Sequence, residues 1–238
     1  VTLPLQKNKK ISSRVLCVFC VFCVILAPFW GLLVFPLIVL AKRNFADAAR
    51  VQNWAFGRAT VWFFRPLVSG SENLPQGNCV MVFNHRSLVD IFWPCLLPYA
   101  NTVVVSRSYL FKIPVVGFFM RLAGYFDSDN GDWEAFRATA RLQAAKGLSF
   151  LFFPEGHRSK DGQVRRFKSG AFHVAVDNLL PIVPVCVGNC GRLRLTILPP
   201  LRPGPDPDGL EPLRLAKRAT ALIREALVQQ SVGGELDA

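Results

Sequence analysis

Histidine is scarce in this chain, three among 238 residues, and acids are few, 16 against 28 lysines and arginines. A zinc site built on Cys186 and Cys190 would need further Cys or His nearby, and so small a stock of histidine argues against one. The seven cysteines form no disulfide framework. Cys17, Cys20 and Cys23 lie in one apolar block and Cys79, Cys95 and Cys186 in other apolar runs, so they read as small buried hydrophobes in a reducing compartment. No Gly-x-Ser-x-Gly nucleophile elbow is present, which removes the commonest serine hydrolase. Internal repeats and low-complexity linkers are also missing.

The shortage of acids leaves a formal net charge of +12, which implies an anionic partner: nucleic acid, an anionic membrane or a phosphorylated substrate. Zinc-finger spacing and an RNA-binding aromatic signature are lacking, and the cations are scattered rather than set in a stripe, so nucleic acid fits worst. What is abundant is apolar surface, 51% of residues, and much of it lies near the N-terminus. Basic charge beside an apolar block favours a membrane.

That block runs from Val15 to Ala41 without a charge. As one helix it would be about 40 Å long, more than a bilayer core requires. It is too long for the core of a signal peptide and passes directly into an aromatic, basic segment, so cleavage is disfavoured. Lys7, Lys9, Lys10 and Arg14 precede it and Lys42, Arg43 and Arg50 follow, so a single span would put positive charge on both sides. Pro28, Gly31 and Pro36 can break the run, and a re-entrant or interfacial hairpin suits the flanks better than a clean span. Residues 44–66 read as a second, amphipathic helix. Arg43, Asp47, Arg50, Arg58 and Arg65 form its charged stripe, with Trp54 and Trp62 at headgroup level; an interfacial helix is expected there in preference to a core-facing one.

From about residue 70 the pattern changes. Apolar runs at 79–83, 102–106, 149–153, 182–187 and 192–197 alternate with helical stretches near 88–97, 114–123, 132–147, 168–180 and 211–229. Alternation of this kind predicts an α/β fold: a mixed, largely parallel sheet flanked by helices, preceded by a two-helix membrane anchor. The expected division is a helical anchor over 1–68, an α/β domain over 69–230 and a tail over 231–238.

In such sheets chemistry collects in the loops after the strands' C-terminal ends. Two loops have that place and unusual polar content. Asn84-His85-Arg86-Ser87-Leu88-Val89-Asp90 follows the first run. On one helix, His85 and Asp90 would be about 140° apart, but they meet if His85 is in the loop and Asp90 in the first helical turn. Ser87-x-x-Asp90 also resembles a capping box, so Asp90 serves either as a cap or as the partner that fixes the His85 tautomer. In the second case His85 takes a proton from a substrate hydroxyl, which fills the place of a triad serine. The other loop, Pro154-Glu155-Gly156-His157-Arg158-Ser159, has a glycine for a tight turn and an arginine suited to phosphate or carboxylate, with Arg165, Arg166 and Lys168 following.

Taken together these segments resemble the glycerolipid acyltransferase family. Its first motif, NHxSxxD, matches Asn84, His85, Ser87 and Asp90; its third, FPEGTRS, matches Phe153 to Ser159 with His157 in place of Thr. SYLFKIPVVGFFMRLAGYFDSD is similar to the second block, RRFKSGAFHVA to the stretch after the third, and LPIVPV at 180–185 to the fourth, over about 70–200 in the family's order. The resemblance implies acyl transfer from acyl-CoA or acyl carrier protein to the hydroxyl of a lysolipid, 1-acylglycerol-3-phosphate above all. His85 would be the base and Asp90 its partner; Asn84, Ser87, Gly124, Glu155, Gly156, His157, Arg158, Ser159 and Lys168 would contact or position substrate. It also implies no metal or organic cofactor, and a two-helix anchor at the cytoplasmic face of a bacterial inner membrane. One departure bears on the acceptor. Where the second motif usually ends in Arg, Asp129 stands, and an acid there would repel a phosphate unless Arg121 or Arg137 compensates. A lyso-aminolipid acceptor, or thioesterase-like hydrolysis, is the alternative.

Overall fold

The structure, a computed structural model, describes residues 35–40, 44–62, 64–129, 131–159, 163–190 and 192–233. Among the described residues seven strands form one sheet: β1 (Leu67–Ser69), β2 (Val80–Phe83), β3 (Thr102–Ser106), β4 (Phe126–Asp127), β5 (Ser149–Phe152), β6 (Ile182–Cys190) and β7 (Arg192–Ile197). Their order is β1-β7-β6-β2-β5-β3-β4. Every pairing is parallel except β6 with β7. The expected mixed, largely parallel sheet is therefore present, and all five apolar runs are strands. The short edge strands β1 and β4 carry too few residues to show a pattern.

Strand alternation divides the core. Val80, Val82, Val103, Phe150 and Phe152 point to one face. There they meet α4 (Trp133–Ala145), α5 (Gly170–Asp177) and α6 (Glu211–Gly233) through Phe136, Phe172 and Ile223. Met81, Phe83, Leu151, Val183 and Val185 point to the other face, against Val61 of α1 (Phe45–Trp62) and Trp93 of a 3-10 helix, Leu88–Leu96. A helical hairpin, α2 (Ser108–Phe111) and α3 (Pro114–Leu122), packs beside α1. Gly117 makes the hairpin tight: a Cβ there would lie 2.0 Å from the Phe111 carbonyl oxygen.

Helix α1 corrects one expectation. Its Arg50-Trp54-Arg58 side faces the domain instead of a bilayer interface. Arg50 is buried; its Nε donates to Asn101 Oδ1 at 2.6 Å and its Nη1 to Ala123 O at 2.8 Å, and Asp47 neutralises it. Trp54 Nε1 donates to Leu97 O at 2.9 Å and Arg58 Nη1 to Leu96 O at 3.0 Å. These carbonyls lie at the C-terminal ends of α3 and the 3-10 helix, where oxygens lack intrahelical donors and the helix dipole attracts cations. The charged stripe thus serves tertiary packing. Gly57 permits the approach, since a Cβ would come within 2.2 Å of Cys95 Sγ. Among the described residues no helix is long and apolar enough to cross a membrane. Most of the Val15–Ala41 run lies outside the described residues.

Candidate active site

Strand β2 ends at Phe83, and the next residue ties its loop down. Asn84 is wholly buried, its Nδ2 donating to Val187 O at 3.0 Å and its Oδ1 accepting from Val187 N at 2.7 Å on neighbouring β6. His85 follows at the strand's C-terminal edge. Ser87, in extended conformation, caps the 3-10 helix by accepting from Val89 N at 3.4 Å, and Asp90 completes a capping box. Asp90 Oδ2 accepts from Arg86 N at 2.5 Å and Ser87 N at 2.6 Å, and it lies 3.1 Å from His85 Nδ1. Asp90 Oδ1 accepts from Trp93 Nε1 at 2.9 Å. Cap and orienting partner, alternatives in the sequence, are one carboxylate here. The hydrogen bond to Nδ1 leaves Nε2 of His85 for chemistry. Phe153 braces the imidazole, with ring centroids 4.7 Å apart.

The second loop is bolted to the first. Glu155, 2% exposed, accepts from His85 N at 2.8 Å through Oε1, and from Ser159 Oγ at 2.5 Å and Arg165 N at 3.0 Å through Oε2. Ser159 N returns a bond to His85 O at 2.9 Å. Gly156 has φ +73, and a Cβ there would lie 2.9 Å from Lys168 Nζ, so the turn requires glycine and the lysine lies over it.

Both loops border a cavity of about 1220 Å³, the larger of two prominent ones among the described residues. His85, Arg86, Gly156, His157, Arg158 and Lys168 line one end. The cavity then runs along the sheet face past Met81, Leu151 and Val104, which are adjacent in register, beneath α1 and the α2–α3 hairpin. It is lined by both Ser106 and Thr102, the two ends of β3, so it follows that strand for roughly 13 Å. Cys95 is in its wall, where burial pushes the thiol up to about 12 and keeps it neutral. A charged mouth and an apolar body suit an amphiphile.

The expected substrate contacts divide into two groups. His157, Arg158, Gly156 and Lys168 reach the cavity; Asn84, Glu155 and Ser159 are buried behind it with their polar atoms spent on the protein. Ser87 acts as a helix cap, and Gly124, with φ +68, ends α3. Arg107 was not anticipated, although it directly follows β3 at the edge where the other loops were sought. It lines the cavity, and its Nε donates to both Asp129 oxygens at 3.2 Å. Asp129 also accepts from Ser108 N at 3.1 Å, at the start of α2. The carboxylate expected to repel a phosphate is thus already neutralised. Arg107 does this, and neither expected cation does: Arg121 donates to Phe111 O and Arg137 pairs with Asp177.

A family model described as Acyltransferase matches residues 65–188. The chain belongs to the glycerolipid acyltransferase family. Within this acyltransferase family it is 36% identical over 141 residues to the chloroplastic 1-acyl-sn-glycerol-3-phosphate acyltransferase BAT2 of Brassica napus, covering 56% of this chain and 40% of that one. It is likewise 36% identical over 136 residues to the 1-acyl-sn-glycerol-3-phosphate acyltransferase of Saccharomyces cerevisiae, covering 53% and 44%. The chain spans less than half the length of these curated relatives. In fold it is similar to the 1-acyl-sn-glycerophosphate acyltransferase PlsC of Thermotoga maritima, with a TM-score of 0.69 over 90% of this chain and 93% of that one at 24% identity.

Proposed function

We propose that this acyltransferase is membrane-bound and moves a fatty acyl group from acyl-CoA or acyl carrier protein to the free hydroxyl of 1-acylglycerol-3-phosphate, giving phosphatidate. The observation that carries the reading is the His85–Asp90 pair, 3.1 Å apart with Asp90 buried, at the charged end of a long apolar cavity. The curated relatives' activity supports the choice of acceptor.

In this mechanism His85 Nε2 removes the acceptor's hydroxyl proton as its oxygen attacks the thioester carbonyl carbon. A C–O bond forms and the carbonyl electrons move to oxygen. The tetrahedral intermediate then collapses, the C–S bond breaks, and the His85 imidazolium returns its proton to the thiolate. Asp90 stabilises the imidazolium between the two steps. Acid and base are one residue and the nucleophile is the substrate, so the sequence balances without a metal or organic cofactor. Arg158 and Lys168 present cations to the acceptor's phosphate, and the Arg107–Asp129 pairing answers the expected repulsion. The basic flanks of the apolar run support the cytoplasmic face of a bacterial inner membrane as the site of action.

The test is a labelled-acyl assay on the purified chain with both donors, offered lysophosphatidate, glycerol 3-phosphate, other lysophospholipids and a lyso-aminolipid. Lysophosphatidate should be the best acceptor, and His85→Ala should lower kcat by about 10²–10⁴-fold. Undiminished transfer by His85→Ala would sink the mechanism. Preference for the lyso-aminolipid would reassign the acceptor, and free fatty acid without a new ester would make the chain a thioesterase.

A further inference from the structure

Nothing in the mechanism requires the outer surface of the α2–α3 hairpin, yet this is where the described chain exposes its longest apolar stretch. Tyr109, Ile113, Val115, Val116 and Phe118 are all exposed large hydrophobics within ten residues, Phe118 at 56%. A monomeric protein rarely leaves such a patch to water. Tyr109, Ile113, Val115 and Val116 also line the cavity, whereas Phe118 does not; the patch is therefore the rim at which the cavity meets the surface.

Charge and continuity identify the occupant. Between Arg107 and Phe126 the sequence holds no acid, and exposed Lys112 and Arg121 flank the apolar residues. Phe35, within the apolar Val15–Ala41 run, sets its ring edge-on to Phe119 of α3, with centroids 5.2 Å apart. Leu37 and Leu40, from the same run, are exposed as well. An apolar surface edged by cations and joined to a membrane-type segment matches the interfacial layer of an anionic leaflet. A protein partner would not account for an apolar rim that opens into a chain-sized cavity.

We propose that the α2–α3 hairpin, Ser108–Leu122, is a second membrane contact, seated in an anionic leaflet, that opens the cavity sideways to lipid. The lysolipid then slides in from the bilayer with its tail always in an apolar medium, while its headgroup stays at the cationic end beside His85. The access route rests on the reading of the cavity as a lipid site.

Two measurements test it. Phe118→Trp, in the full chain reconstituted into vesicles of mixed neutral and anionic phospholipid, should show quenching by brominated lipids beyond that of the native tryptophans. No added quenching would overturn the proposal, because the patch would then be covered by another part of the chain or by a protein. The second uses Phe118→Asp combined with Lys112→Glu, two residues outside the cavity lining. Its rate on lysophosphatidate embedded in anionic vesicles should fall about tenfold, with an unchanged rate on a water-soluble short-chain lysophosphatidate. Equal losses on both substrates, or no loss on vesicles, would overturn it. If the native chain acylates no lysolipid at all, the catalytic reading fails, and the quenching experiment still decides the hairpin's place.

Discussion

A carboxylate that faces four N–H groups, from Arg86, Ser87, Trp93 and the His85 ring, is held in one orientation. Asp90→Asn keeps one acceptor oxygen and turns the other position into a donor that faces donors. It should lower kcat by about 10²–10⁴-fold with a smaller change in KM, measured on the purified enzyme. The two halves of the second loop should respond differently. Glu155→Gln breaks a buried bracket and should lower stability by about 1–3 kcal/mol in denaturant unfolding. Arg158→Ala, at an exposed position on the cavity, should raise KM for a phosphate-bearing acceptor and leave stability nearly unchanged. If Glu155→Gln raised only KM, Glu155 would be a substrate contact after all. Sequence spacing showed which residues gather at the strand ends; it did not show that Asn84, Glu155 and Ser159 turn inward, since a polar side chain in a loop reads the same whether it holds substrate or backbone.

Elements meet through a few polar joints. The Arg137 guanidinium of α4 donates to both Asp177 oxygens of α5, at 2.7 and 2.9 Å, and this holds the Asp177 carboxyl below the usual carboxylate range. A depressed folded-state pKa gives stability that is present above the unfolded pKa of about 4 and lost as pH falls through the folded value. The stability gap between the native chain and Asp177→Asn should therefore be widest near neutrality and close in the acid range below about 4, in unfolding curves taken across pH. A gap that stays constant to low pH would mean the joint acts through packing alone. At this scale α1 was legible as a helix but not in its orientation. Arg50 and Arg58 mark a solvent face by composition, and only the C-terminal carbonyls of α3 and the 3-10 helix draw Arg50 inside and tie the still exposed Arg58 to the domain. Strands β1 and β4 were not legible, because two or three residues are too few to show alternation.

For the whole molecule, the proposed membrane seat would draw on both the +12 net charge and the apolar surface near the α2–α3 hairpin. Attraction to anionic lipid is screened over about 8 Å at physiological salt, while apolar contact is not. Raising salt should therefore reduce the rate on lysophosphatidate in anionic vesicles more than in neutral ones, compared at equal substrate; equal losses would assign the charge to headgroup binding alone.

The sequence by itself determined the fold class, the two polar loops at the strand ends and the family, because each rests on local order: apolar runs of strand length, turn residues, and motif residues at set spacings. Tertiary structure alone decided that Asp90 both caps and orients, that Glu155 is a bracket, that Arg107 neutralises Asp129, and that the cavity opens at the α2–α3 hairpin. Each of these depends on contacts between segments far apart in the chain. Spacing along the sequence does not carry such contacts; the crossing of strands in one parallel sheet does.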